Sequence, residues 1–228
     1  MDFDRLPDLV ERYKRLYVPA VADALDKRGL WNQLLANDIK PLTMDMKVAG
    51  PAFTAKGHPT TLTDVGIGSR ILEHFTPLCV ALWDTSGDTA VGHWGELMST
   101  AAQSKGCQGA VIDGGIRDTS YILARGFPVF TRFRCAADAM GRWKITDMNI
   151  PVRVSGVLVR PGDWIFGDVD GVVIVPQELV MEVLEEAEAV VDAENRIREA
   201  VGEGVPLHDM YEQFKLSERP ADTTGIRG

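Results

Sequence analysis

Two stretches of the sequence combine charged residues with the signals of a helix start and of a strand end. The first, Gly95-Glu96-Leu97-Met98, opens a run of good helix formers that ends at Lys105-Gly106. The second runs from Val111 through the glycine pair Gly114-Gly115 to Arg117-Asp118. In α/β proteins, helix N-termini and the carboxyl ends of strands are the usual places for a ligand. These two stretches therefore predict a ligand-binding site.

The residue types at these positions suit a small anionic ligand. The backbone N–H groups of Glu96, Leu97 and Met98, at the positive end of a helix dipole, form a site for a carboxylate or a phosphate. Arg117 can hold the same anion through two N–H groups, and Asp118 can hold a hard divalent cation through oxygen. The simpler alternative is that Glu96 only favours the helix start, while Arg117 and Asp118 form a solvated surface pair.

In their order and spacing, these motifs resemble those of the RraA-like family. Gly-Glu-Leu-Met at 95–98 and Asp-Gly-Gly-Ile-Arg-Asp at 113–118 carry the likeness, which extends from about Val18 to about Pro176. The family includes the class II, metal-dependent pyruvate aldolases that act on 4-hydroxy-4-methyl-2-oxoglutarate and 4-carboxy-4-hydroxy-2-oxoadipate. Further matching motifs are Asp23-Ala24-Leu25, Gly126-Phe127-Pro128-Val129, Pro161-Gly162-Asp163 and Asp170-Gly171-Val172-Val173.

The resemblance implies how the site would bind a 2-oxoacid. The substrate carboxylate would lie on the amides of Leu97 and Met98, and the C2 oxygen would lie near Arg117 and a magnesium or manganese ion. Asp118 would hold that ion, and Glu96 would reach it through water, because the family commonly has an acidic residue there. The substrate-binding residues by resemblance are Gly95, Glu96, Leu97, Met98 and Arg117.

Arg117 and Asp23 are the catalytic residues that the resemblance implies. Arg117 would stabilise the negative charge that develops on the C2 oxygen as an enolate forms. Asp23 matches a family Glu that a neighbouring subunit contributes and that helps to activate a water for proton transfer, although the Asp side chain is one methylene shorter. Its position on a predicted amphipathic helix also fits an exposed surface acid with no catalytic role.

The activity that the resemblance implies is cleavage of a 4-hydroxy-2-oxoacid to pyruvate and a second carbonyl compound. Decarboxylation of oxaloacetate would pass through the same enolate. Two alternatives stay open: a dehydratase that acts on a sugar acid, and a non-catalytic regulator, because founding members of the family inhibit a ribonuclease and lack the metal-binding Asp. Asp118 favours the enzyme, while Trp94 and the short segment from Arg132 to Lys144 indicate a substrate different from those of the named aldolases.

The charge and the hydrophobic pattern limit the classes of partner. A net charge of −9 and a pI near 5.0 argue against binding to nucleic acid or to an anionic membrane. No run of about 18 apolar residues predicts a transmembrane helix, and the acidic start Met1-Asp2-Phe3-Asp4 is unlike a signal peptide. We therefore expect a cytoplasmic protein. The resemblance implies a homotrimer or hexamer with sites at subunit interfaces.

The pattern of apolar residues predicts a single α/β domain over residues 1–228, with a mixed sheet and with helices at both termini. The resemblance makes this a β/β/α fold of the swivelling-domain type, with its core at about 18–176 and a C-terminal helix and tail at 177–228. Helical spacing predicts Leu6–Tyr17 and Val18–Arg28 as helices, and Pro176 starts a long helix that extends to about Glu199.

Glycine and proline positions give further local predictions. Lys47–Lys56 reads as a strand at a sheet edge or bulge because Gly-Pro interrupts it, and Gly57–Gly68 reads as a loop. Gly114-Gly115 predicts a tight turn that delivers Arg117 and Asp118. Asp118-Thr119 predicts the cap of a helix that stops at Gly126.

Other ionisable residues read as structural. Asp163, Asp168 and Asp170 occur in Pro-Gly-Asp and Asp-Gly contexts, which are typical of turn formers rather than of a metal cluster. His93 is the histidine nearest to the predicted site, and we interpret it as structural or as acting on the site indirectly. The four histidines lack the spacing of a zinc site and are His58, His74, His93 and His208.

Overall fold

The computed structural model describes residues 5–63, 68 and 70–214, with side chains up to residue 210. Residues 64–67 of the predicted loop Gly57–Gly68 lie outside the described residues. The same holds for Ser69, at which the sequence predicts the start of a short helix to His74, and for the predicted tail from Ser217 to Gly228. The helices are α1 Leu6–Arg15, α2 Val18–Asp26, α3 Glu96–Ser104, α4 Thr119–Arg125, α5 Val180–Gly202 and α6 Leu207–Phe214. None of these described helices is both long enough and apolar enough to cross a membrane.

The strands form one large mixed sheet and one hairpin, which confirms the predicted fold class. The strands are β1 Lys40–Pro41, β2 Val48–Pro59, β3 Val80–Asp84, β4 Gly92–Trp94, β5 Gly109–Ile116, β6 Val129–Arg134, β7 Trp143–Met148, β8 Val152–Val154, β9 Val157–Val159, β10 Trp164–Gly167 and β11 Val172–Val175. The sheet order is β1-β6-β5-β3-β2-β10-β11, while β4 also pairs with β5 and β7 with β2. The central pairs β2/β3, β3/β5, β5/β6 and β4/β5 are parallel, and the outer pairs are antiparallel.

Successive side chains of the sheet point to opposite faces and pack in different hydrophobic clusters. In β5, Ala110 and Ile112 pack with residues of α3 and α4, whereas Val111 packs with the β8–β9 hairpin. The helices α1, α2 and α5 pack against β10 and β11 in a third cluster around Trp164. Because both faces of β5 are buried, the strand is held firmly up to the Arg117-Asp118 pair that follows it.

Strand β2 is central, so the predicted edge position of Lys47–Lys56 is wrong. The strand spans 12 residues and is flanked by β3 on one side and by β10 and then β7 on the other. Pro51 pairs with the first residue of β10, and the β3 ladder begins only at Ala52. The missing N–H of this proline therefore falls where one ladder ends and the next begins, which a sheet tolerates.

The first part of the predicted loop Gly57–Gly68 is also strand. Gly57, His58 and Pro59 continue β2 and pair with Ile145, Lys144 and Trp143 of β7. A Cβ atom at Gly57 would lie 2.1 Å from Cζ2 of Trp143, so the glycine makes room for that indole ring. Gly57, which indicated a loop in the sequence, is therefore required by close packing between β2 and β7.

Candidate active site

The glycine pair of the second stretch lies inside β5, so the predicted tight turn at Gly114-Gly115 is wrong. A Cβ atom at Gly114 would lie 2.7 Å from Nδ1 of His93. A Cβ atom at Gly115 would lie 2.4 Å from Cε2 of Phe133 and 2.7 Å from the carbonyl oxygen of Val91. These glycines are therefore required by close approach of neighbouring strands, and they let β4 lie directly against β5.

The pairing of β4 with β5 brings the two predicted stretches together. The two strands are parallel, with Trp94 opposite Ile116, and the N–H of Arg117 donates to the carbonyl oxygen of Trp94 at 2.9 Å. Gly95 follows β4 and Arg117 follows β5, so both lie at the carboxyl edge of the sheet. This edge is where the sequence predicted a ligand site.

Asp118 turns its carboxylate toward the start of α3. Its backbone is left-handed, with φ 57° and ψ 31°, and its Oδ2 accepts a hydrogen bond from the backbone N–H of Glu96 at 3.3 Å. The predicted side-chain cap of α4 is not made, because the carboxylate lies at α3 instead. A Cβ atom at Gly95 would lie 2.7 Å from Oδ2 of Asp118, so only glycine leaves this space for the carboxylate. With 41% of its side chain exposed, Asp118 remains accessible to a ligand.

Arg117 lies between two carboxylates. Its Nε is 3.5 Å from Oδ2 of Asp118, and its Nη1 is 3.3 Å from Oδ2 of Asp138. Asp138 also accepts a hydrogen bond from the N–H of Met140 at 3.1 Å, and this bond, together with Arg117, lowers the pKa of Asp138. Sequence reasoning did not identify Asp138, although it marked the Arg132–Lys144 segment that contains it.

The first turn of α3 carries the other predicted binding residues. The N–H of Ser99 bonds to the carbonyl oxygen of Gly95 at 3.1 Å, so the N–H groups of Glu96, Leu97 and Met98 precede the helical ladder. Leu97 is exposed, and Met98 is half-buried. This turn can therefore present the N–H groups of Leu97 and Met98 to an anion, whereas the N–H of Glu96, which the sequence also predicted for this role, donates to Asp118.

The side chain of Glu96 is engaged within the helices. Its carboxylate accepts a hydrogen bond from the hydroxyl of Thr100 and lies 3.4 Å from Nη2 of Arg125 on α4. Glu96 thus contributes its backbone N–H to Asp118, while its carboxylate links α3 to α4. The water-mediated role implied by the resemblance is not tested by these contacts.

Two aromatic residues before the first turn are structural. His93 accepts a hydrogen bond at Nδ1 from the N–H of Gly115 at 3.1 Å, and its Nε2 lies 3.0 Å from Oδ1 of Asp88. Burial lowers the pKa of His93, which fits a neutral ring that uses both nitrogens. Trp94 is buried and donates to the hydroxyl of Ser99 at 2.7 Å, so its ring belongs to the packing of α3.

Asp23 is not joined to this site within the chain. It is exposed on α2, whose buried neighbours Ala24 and Leu25 belong to the cluster over β10 and β11. The hydrogen bonds and ion pairs of the described residues do not connect it to Arg117 or Asp118. Its catalytic role therefore stays a prediction that requires a second copy of the chain.

A cavity of about 270 Å³ lies next to the ion-pair partner of Arg117. Asp138, which pairs with Arg117, and Met98, from the first turn of α3, are both among its lining residues. The lining residues are Leu62, Gly68, Trp83, His93, Met98, Asp138, Ala139, Met140, Gly141, Trp143, Lys144 and Ile145.

The carboxylates of the described residues are spread out rather than clustered. No group of three or more His, Cys, Asp or Glu side chains within this part of the chain is arranged to hold a metal ion. Asp163 accepts hydrogen bonds from the N–H groups of Arg160 and Gln177, and Asp168 accepts from those of Val18 and Asp170. Their predicted role as turn formers is confirmed. A metal at the candidate site would depend on Asp118.

Comparisons with known proteins agree on one family for this chain. A family model described as Aldolase/RraA, of the RraA-like family, matches residues 18–174. A protein from Halalkalibacterium halodurans named Putative 4-hydroxy-4-methyl-2-oxoglutarate aldolase is 33% identical over 180 residues, which are 79% of this chain and 82% of that protein. Protein DlpA of Legionella pneumophila is 28% identical over 216 residues, 94% of this chain, and the chain spans only 35% of DlpA.

Solved structures share the fold. An uncharacterized protein from Pseudomonas syringae pv. tomato superposes with a TM-score of 0.83 at 28% identity, covering 91% of this chain and 94% of that chain. Streptomyces coelicolor RraAS2 is described as an unusual member of the RNase ES inhibitor RraA protein family. It superposes with a TM-score of 0.77 at 26% identity and covers 84% of this chain and 96% of that chain.

Proposed function

Because the chain belongs to the RraA-like family, we propose that it is a divalent-metal-dependent lyase that cleaves a 4-hydroxy-2-oxoacid to pyruvate and a second carbonyl compound. The observation that carries this proposal is the position of Asp118, whose Oδ2 lies 3.3 Å from the backbone N–H of Glu96 and 3.5 Å from Nε of Arg117. A carboxylate, a guanidinium group and the N-terminus of a helix meet there. The aldolase name of the H. halodurans relative supports the same reaction class.

The residues at this point fit a magnesium or manganese ion. Asp118 is 41% exposed, and Gly95 leaves open the space beside its Oδ2 that a Cβ atom would fill. Magnesium in proteins commonly keeps several waters and uses one or two carboxylates together with the substrate, so a single Asp is a sufficient protein ligand. Held by Asp118, such an ion would supply positive charge beside the oxygen on which enolate charge develops.

The chain's own residues account for binding and charge stabilisation. The N–H groups of Leu97 and Met98 bind the substrate carboxylate at the start of α3. Cleavage breaks the C3–C4 bond: the C4 hydroxyl loses its proton and becomes a carbonyl, and the electron pair moves to the C2 oxygen as an enolate. Arg117 stabilises this negative charge, which appears only as the bond breaks. Protonation at C3 then gives pyruvate.

Asp23 is the proposed group that helps to remove the hydroxyl proton through a water. Because it lies on α2, over strands other than those that end at Arg117, it would reach the site only from a neighbouring copy. We therefore propose a homotrimer or a hexamer with sites between subunits. Light scattering tests this arrangement, since a strictly monomeric protein would remove Asp23 from the mechanism.

The same charge stabilisation serves a second substrate. Loss of carbon dioxide from oxaloacetate leaves the enolate of pyruvate, so Arg117 would support decarboxylation without any change of the site. Oxaloacetate decarboxylation is therefore the expected accompanying activity. A dehydratase would instead release water and keep the carbon chain intact, which product analysis distinguishes.

The experiment that tests the function couples pyruvate release to lactate dehydrogenase. Oxaloacetate and 4-hydroxy-4-methyl-2-oxoglutarate are offered with added magnesium, with EDTA, and without enzyme, because oxaloacetate decarboxylates spontaneously in the presence of metal. We expect enzyme-dependent release that EDTA abolishes and that Asp118→Ala lowers by about 100-fold or more. Asp147→Ala, an exposed acid on β7, is the matched control.

Absence of pyruvate release from both substrates would favour either a lyase that acts on a different substrate or the non-catalytic regulator. The resemblance of the fold to RraAS2 motivates the regulator alternative. Asp118 weighs against it, because the ribonuclease regulators of the family lack the metal-binding Asp that this position matches.

A further inference from the structure

The cavity beside Asp138 is lined by two aromatic rings, those of His93 and Trp143, whose nitrogen atoms are already used by the protein. The indole N–H of Trp143 donates to the carbonyl oxygen of Thr85 at 3.1 Å. His93 uses Nδ1 for the N–H of Gly115 and lies with Nε2 3.0 Å from Asp88. Both rings therefore offer hydrocarbon rather than hydrogen-bonding groups to a ligand. Met98, Met140 and Ile145 add aliphatic surface.

The size of the cavity suits an aromatic ring. Its volume is about 270 Å³, and a cavity of about 150 Å³ lined by apolar side chains holds benzene. The rings of His93 and Trp143 meet edge to face with centroids 4.8 Å apart, so a ligand ring would find both an aromatic edge and an aromatic face. Methionine walls adapt to irregular apolar shapes.

Two lining residues link the cavity to the proposed binding site for the reacting end of the substrate. Asp138 lines the cavity and holds Nη1 of Arg117 at 3.3 Å, and Met98 belongs to the first turn of α3. A 2-oxoacid with its carboxylate on that turn and its C2 oxygen at Arg117 would therefore direct its C4 substituent into the cavity. The carboxylate of Asp138 would repel a second carboxylate there.

We propose that this cavity is the binding site for the C4 substituent of the substrate, and that this substituent is an apolar group of the size of an aromatic ring. The proposal rests on the proposed function for the orientation of the substrate. Lys144 also lines the cavity. Its ammonium group would attract a carboxylate on the substrate. The test therefore compares an aromatic with a carboxylated C4 substituent.

The test measures kcat/KM for pyruvate release from two substrates, 4-hydroxy-2-oxo-4-phenylbutanoate and 4-hydroxy-4-methyl-2-oxoglutarate. We expect a preference of about tenfold or more for the phenyl compound, from burial of its ring. Ala139→Phe fills the cavity and should reduce this preference by about tenfold. Ala136→Phe adds the same ring at an exposed position of the same segment and should leave the preference unchanged.

Binding without turnover separates this proposal from the proposed function. Calorimetry compares 4-phenyl-2-oxobutanoate with 2-oxoglutarate, which differ at the distal group and cannot undergo the aldol cleavage. Tighter binding of the phenyl compound, weakened in Ala139→Phe but not in Ala136→Phe, supports the cavity assignment even if no substrate releases pyruvate. Equal or tighter binding of 2-oxoglutarate overturns it, whatever reaction the protein catalyses.

Discussion

Oδ2 of Asp118 lies 3.3 Å from the backbone nitrogen of Glu96, and this contact joins the end of β5 to the start of α3. The carboxylate stands where a helix attracts negative charge. It does so because Asp118 adopts a left-handed backbone that turns it away from its own helix, α4. The contact therefore fixes the one acidic group that the proposed metal would need.

Gly95→Ala should weaken the site without unfolding the protein. The added Cβ would lie 2.7 Å from Oδ2 of Asp118, so the carboxylate must move, whereas φ −148° and ψ −173° are allowed for alanine. We expect kcat/KM for pyruvate release to fall by about 10-fold to 100-fold and the magnesium requirement to rise. Gly202→Ala, where no atom lies within 4 Å of the added Cβ, is the control. If the magnesium dependence is unchanged in Gly95→Ala, Asp118 does not hold the metal.

Arg117→Lys should lower activity although it keeps the positive charge. The guanidinium group lies near both Asp118 and Asp138 through different nitrogens, and an ammonium group cannot reproduce that planar fork. We expect about a 10-fold to 100-fold loss in kcat/KM with no change in melting temperature, because the side chain is 35% exposed. Arg153→Lys, at an exposed position of β8, controls for the substitution itself. Wild-type kinetics would exclude Arg117 from charge stabilisation.

Local signals in the sequence predicted the elements of the site but not all of its contacts. Gly95 and Gly106 bound α3 as expected, and Gly126 ends α4 with a left-handed backbone, because helix ends are specified by adjacent residues. Asp138 was missed because it meets Arg117 from a segment without regular structure, and that approach depends on the path of the whole chain. Asp118 was correctly placed near α3 but wrongly expected to cap α4.

Gly114 and Gly115 show why a prediction made from adjacent residues alone was wrong. A turn and a close approach between strands both require glycine, and the sequence does not distinguish them. Gly114→Ala should be destabilising by about 1–3 kcal/mol, since the added Cβ would lie 2.7 Å from a His93 ring that two hydrogen bonds hold in place. Chemical denaturation measures this, with Gly202→Ala as the control that should show little change. Equal stability of both variants would show that β4 and β5 separate easily.

Protonation of His93 should loosen the same strand pair. Burial lowers the pKa of His93, although Asp88 favours the charged form, so the unfolded chain binds a proton at a higher pH than the folded one. The stability from the neutral ring is therefore complete above the unfolded pKa of about 6.5 and is lost as the pH falls below it. The N–H of Gly115, which donates to Nδ1, would lose its acceptor when that nitrogen is protonated.

Thermal unfolding between pH 7.5 and 5 tests this linkage, over a range set by the unfolded pKa of about 6.5. The free energy of unfolding of the wild type should fall with a limiting slope of about 1.4 kcal/mol per pH unit from this one group. His93→Gln should be less stable at neutral pH but should show a shallower slope, because its side chain does not titrate. His74→Gln, an exposed position, should retain the wild-type slope. Identical slopes for the wild type and His93→Gln would mean that folding does not change the pKa of His93, and the neutral ring that accepts the hydrogen bond from Gly115 would then contribute no pH-dependent stability.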